Sequence, residues 1–195
     1  MPIVPPELPS AALDAVRRAV AATGRFPRKA RGVLSLSTPH PVFSVTLERL
    51  AAGDRIADAA EFVGWRALLE EDERVVAAVE VPGRDAQKGG AVVNRGGFVE
   101  STVTTLRVAE RHQRADAERL ELRLLRANAL YLLALWLHPS DETGDDLFFP
   151  IAPAPPPLRA ETAYSSDSFG AEVSEMARSI ASAYRSADRP DELGG

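Results

Sequence analysis

At 195 residues, 45% of them hydrophobic and 26% charged, the chain has room for one domain with a real core plus tails. It has no cysteine, which excludes a disulfide framework, thiolate catalysis and Cys-ligated zinc or iron–sulfur centres. A net charge of −5 offers no bulk attraction for nucleic acid or anionic lipid, so neither nucleic acid nor membrane is expected as a partner.

The cations are almost all arginine, the lysines being Lys29 and Lys88, and with the many alanines this points to a GC-rich, bacterial genome. The longest apolar run, residues 127–137, contains Asn128 and falls short of the roughly 20 residues a bilayer requires. No charged start followed by an apolar stretch precedes the domain, so cytoplasmic residence is expected.

Residues 1–9 are a proline-rich lead. Ser10 caps a predicted helix to about residue 23, with Leu13, Val16 and Val20 on one face and an Asp14–Arg18 pair outside. Residues 25–31 (RFPRKAR) read as a solvated basic connector. Residues 33–37 alternate, Thr38-Pro39-His40-Pro41 breaks the run, and Phe43, Val45 and Leu47 resume it as a half-buried strand. His40, between two prolines, reads as an exposed turn residue. Gly53-Asp54 reads as a stop and a cap, followed by a short helix on Ile56, Ala60 and Val63 that ends at Gly64.

WRALLE and VVAAVEV, around EDER, predict a β-hairpin. Residues 82–97 form a glycine-rich loop with an apolar island at 91–93. Residues 98–112 fit a strand by their valines and threonines and a helix by their length and charge placement, and the second tips the balance. Leu120, Leu122 and Leu124 alternate with Glu121 and Arg123, a strand with one wet face. Residues 131–137 are apolar on both faces and belong centrally in a sheet. An acidic loop, 139–146, leads to a third strand at 147–151, placed at an edge by Pro150.

The fold class expected is therefore α+β, an antiparallel sheet of about five or six strands with helices packed on one face. The single domain spans residues 10–151. Residues 152–167 form a proline-rich and polar linker, residues 168–187 a C-terminal amphipathic helix on that tether, and residues 188–195 a disordered tail. Ser168 is the expected cap of the final helix, whose stripe is Phe169, Val173, Met176, Ile180 and Tyr184. On this reading deletion of residues 152–195 leaves a folded domain.

No set of residues names a chemistry. His138-Pro139-Ser140-Asp141 brings triad residue types together, but neighbours leaving a strand do not converge. The acids Asp141, Glu142, Asp145 and Asp146 lack the alternate-oxygen spacing of a calcium loop. Lys88-Gly89-Gly90 and Asn94-Arg95-Gly96-Gly97 fit neither a phosphate loop nor a dinucleotide fingerprint. No catalytic residue, metal or cofactor is assigned. The expected function is a non-catalytic protein-interaction or accessory domain that binds another protein or itself, with the helix stripe as its docking face. The alternative is a small-molecule-binding or hydrolytic domain, with Lys88, Arg95, His138 and Asp145 around a cleft between loops 82–97 and 139–146.

Overall fold

The strand LLALWLHP is buried at six of its eight positions, and a strand of that kind needs a cover on both faces. The architecture follows from that need. The computed structural model describes residues 6–22, 34–83, 90–112, 120–140 and 144–187. In chain order its elements are α1 (Ser10–Ala22), β1 (Leu34–Ser44), α2 (Leu47–Ala52), α3 (Ile56–Ala59), β2 (Glu61–Glu71), β3 (Arg74–Pro82) and β4 (Val92–Asn94). There follow α4 (Gly97–His112), β5 (Leu120–Ala127), a single 3-10 turn at Asn128–Leu130, β6 (Leu132–Pro139), β7 (Leu147–Pro150), β8 (Tyr164–Ser165) and α5 (Ser166–Ala187).

The strands form one 8-stranded sheet in the order β4-β3-β2-β1-β5-β6-β7-β8. Only β1 and β5 run parallel; the other pairs are antiparallel. The sheet thus exceeds the five or six strands expected. The additional pairings come from β4 and β8, three and two residues long, too short to show a period.

Helices cover both faces, not one. Ala134 and Trp136 pack with Phe169, Val173 and Ala177 of α5 and with Leu50 and Ile56 of α2 and α3. The alternate residues Leu135 and Leu137 pack with Val99, Leu106 and Ala109 of α4. The same alternation places α1, through Ala12, Ala15 and Val16, on Leu69, Ala77 and Val79, while Leu68 and Ala78 face α4. Residues 98–112 are helical, with Glu100 in the first turn and Arg111 and His112 in the last, as the dipole favours.

Three local expectations fail for identifiable reasons. The prolines around His40 do not break β1. Pro39 falls where the β1–β2 register slips between Ser37 and His40, and Pro41 pairs with Trp65 on a stretch that β5 does not flank, since β5 pairs with Val42, Phe43 and Ser44. His40 is therefore buried, at 1% exposure, rather than in an exposed turn. The residues read as a helix ending at Gly64 are instead α3 followed by the start of β2; Gly53 does stop a helix, α2, in the left-handed conformation at φ 81°. Pro150 lies on β7, one strand in from the edge, because β8 pairs beyond it.

The proline-rich segment after Ile151 is not a free tether. Ile151 donates to the Leu133 carbonyl at 2.8 Å, Glu161 donates to that of Pro150 at 2.9 Å, and Leu158 is buried in the α5-side core. The α5 helix begins two residues before its expected cap, and the Ser165 hydroxyl accepts from the Ser168 backbone N–H at 3.3 Å. Phe169 stacks on Phe148 at 4.4 Å between centroids and is fully buried. Removing residues 152–195 would open this core, contrary to the sequence expectation. Residues 188–195, residues 25–31 and Lys88 lie outside the described residues.

Candidate functional site

Among the described residues, Arg95 does not meet His138 or Asp145. His138 lies next to the end of β6, whereas Arg95 follows β4. Strands β3, β2, β1 and β5 stand between them. At about 4.8 Å per strand this is roughly 24 Å. Loops 82–97 and 139–146 leave opposite ends of the sheet, since β3 ends beside the start of β2 while β6 ends beside the start of β5. Asp145 is exposed. Of the C-terminal stripe, Phe169 and Val173 are buried in the domain core and Met176 and Ile180 pack against it. Tyr184 stays 66% exposed.

What the fold does build is two buried polar networks, one on each face of the sheet. The first lies on the α5 face. Asp146, 5% exposed, accepts on one oxygen from Trp136 Nε1 and from His138 Nδ1, both at 2.7 Å. Arg123 sits with its guanidinium 4.8 Å from the Trp136 ring centroid and 5.0 Å from that of Phe43, and donates to Glu121 at 2.8 Å. Trp136 in turn stacks on Phe148. The histidine and the acid of the loop read as a possible site are thus mutually engaged.

The second network lies on the α4 face and draws on five elements. Arg66 of β2 is 3% exposed and donates to Thr102 Oγ1 of α4 at 3.2 Å, while the Thr102 hydroxyl donates to the Phe98 carbonyl at 2.7 Å. Glu80 of β3 stands between two guanidiniums: Arg126 of β5 donates to one oxygen at 2.6 Å, and Arg66 Nε is 3.9 Å from the other. His40 is the direct cross-strand neighbour of Arg66. Its Nδ1 donates to the Thr38 carbonyl at 2.7 Å, because a carbonyl can only accept. Nε2 is left as a bare acceptor.

That acceptor and the Arg66 Nε donor are both buried without a hydrogen-bond partner. Burial first, and then the Arg66 charge, lower the His40 pKa to about 4, so the ring is neutral at pH 7. Burial likewise lowers the Arg66 pKa, with Glu80 opposing. Burial against a charge of the same sign keeps the imidazole from gaining a second proton.

This network opens on a cleft of about 280 Å³ at the end of the sheet where β3 stops and β4 begins. Glu80 and Arg126 line it, together with Val42, Val63, Gly64, Pro82, Val92 and Asn94. Gly64 is obligatory there, since a Cβ on it would collide with the Val81 carbonyl. A wider depression of about 440 Å³ beside α4 carries both signs of charge, including Glu70, Arg74, Glu100 and Arg107.

Sequence reasoning missed this cluster because its members are far apart and read as parts of unrelated elements: His40 as a turn residue, Arg66 and Glu80 as charges within a hairpin, and Thr102 as part of a helix. The one usable signal is Arg66 inside WRALLE, a charge flanked by apolar residues on a strand that proves buried on both faces. No family model, curated protein or solved structure matches the chain.

Proposed function

We propose that the chain is a non-catalytic protein-interaction domain whose partner docks at the β4 corner of the sheet. One observation carries this reading. Six large apolar side chains are exposed among the described residues, and four of them, Phe62, Val63, Val92 and Phe98, lie on the start of β2, on β4 and in the first turn of α4. Scattered exposed apolar residues are ordinary, but a group beside an edge strand offers both backbone pairing and side-chain contact to an extended segment. The β4 strand is at the sheet edge.

Another protein is the partner in this reading, with a second copy of the chain as the variant. Nucleic acid is disfavoured by the charge of −5. Among the described residues no helix is long and apolar enough to cross a membrane, and cytoplasmic residence is part of the proposal. The C-terminal stripe supplies little, since its first half is core. A photo-crosslinking amino acid placed at Val92 should give a discrete protein adduct in the native host, and the same probe at Tyr184 should not. Absence of an adduct at Val92, or equal adducts at both positions, would overturn the reading.

A further inference from the structure

Among the described residues the α4-face network is unbalanced. Arg66 and Arg126 bring two positive charges and Glu80 one negative charge, and His40 adds no compensating anion. A buried charge is costly unless paired, and of the two guanidiniums that share Glu80 only Arg126 reaches the wall of a cleft. The remaining lining is mostly apolar: Val42, Val63, Pro82 and Val92.

We propose that this cleft binds a carboxylate carried on a short apolar body, with the guanidinium of Arg126 as its anchor. Arg126 alone of the two arginines lines the cleft, and a guanidinium fork matches a carboxylate in geometry. The ligand is a monoanion because one positive charge is in surplus. A phosphate dianion would set its second charge against Glu80. The ligand is small because about 280 Å³ lies just below the usual range of drug-sized sites, roughly 300–1,000 Å³. Either a free short-chain acid or the C-terminal carboxylate of a peptide carries this chemistry. The proposal does not depend on the edge-docking reading, and the crosslinking experiment can fail without touching it.

The test is a titration of the full chain followed by amide chemical shifts. The probes are 3-methylbutanoate, its primary amide and N-acetylvaline. Saturable shifts at Gly64, Val92 and Asn94 with a carboxylate, and binding of the matched amide at least about tenfold weaker, are expected. Arg126→Gln should lose at least about tenfold in affinity. Glu80→Gln, which removes the competing internal carboxylate, should bind more tightly than wild type. Binding by both acids shows that a free acid suffices, and binding by N-acetylvaline alone shows that the site reads a chain end; both support the proposal. Equal binding of acid and amide, unchanged affinity in Arg126→Gln, or no saturable shift overturns it. Should Arg126→Gln melt well below wild type, Glu80→Gln decides instead, and unchanged affinity there overturns the proposal.

Discussion

Two polar networks lie back to back across one sheet, and they differ in how completely their groups are paired. On the α5 face Asp146 answers two donors, and Glu121 and two aromatic rings answer Arg123. The Arg123 Nε is the one buried atom of that network left without a hydrogen-bond partner among the described residues, whereas on the α4 face one carboxylate serves two guanidiniums, and a buried acceptor and a buried donor are both left over. Both draw on charged residues of strands that are otherwise apolar: Arg123 on one face, and Arg66 and Arg126 on the other. Paired groups of the first kind hold a fold together, whereas unpaired ones are sustained at a cost that an incoming group can relieve.

The paired side should therefore be the mechanically sensitive one. Its aromatic column runs from Phe43 through Trp136 and Phe148 to Phe169. Phe169→Ala should cost about 3–5 kcal/mol in urea unfolding, the range for emptying a buried phenylalanine site. A loss under about 1 kcal/mol would mean that α5 docks loosely and that the column is not core.

Asp146→Ala should come next, at about 2–3 kcal/mol, since it strands the Trp136 and His138 donors together. Asp146→Asn keeps an acceptor and should lose about half as much. If both variants match wild type, the network is ornamental and the contrast between the two faces disappears. Neither change should alter carboxylate binding at the opposite face.

The two faces also differ in how far the chain disclosed them. The α5 stripe was legible because Phe169, Val173, Met176 and Ile180 repeat at helical spacing, although its burial in the domain core was hidden by the prolines before it. The hairpin was legible through two apolar runs around EDER, whose Asp72 and Glu73 take the positive φ of its turn. Helices on both faces were implied by the uninterrupted apolarity of β6, but α4 had to be recognised as a helix before it could be placed there. The α4-face cluster was not legible. Arg66, Glu80 and Arg126 meet only through register, and register is a property of the folded sheet. His40 was masked by its prolines, whose turn signal gives way to a slip in the β1–β2 ladder.

His40 yields the most direct reading of the unpaired side. Its folded pKa is about 4 against 6.5 for the free side chain. Between those values the unfolded chain takes up a proton that the folded chain refuses, so stability falls as pH drops from about 7 toward 4 and is flat above. Between pH 7 and pH 5 this single group should remove about 2 kcal/mol. Carboxylates titrate nearby in pH, so the measurable quantity is the wild-type slope minus that of His40→Gln, from urea melts at both pH values. A difference near zero would place the imidazole in contact with water and would weaken the case that this network is buried and short of partners. A difference of the expected size, reduced when 3-methylbutanoate is present, would tie the histidine to the cleft. An anion on Arg126 offsets part of the positive field that helps keep the ring neutral, and should raise the folded pKa.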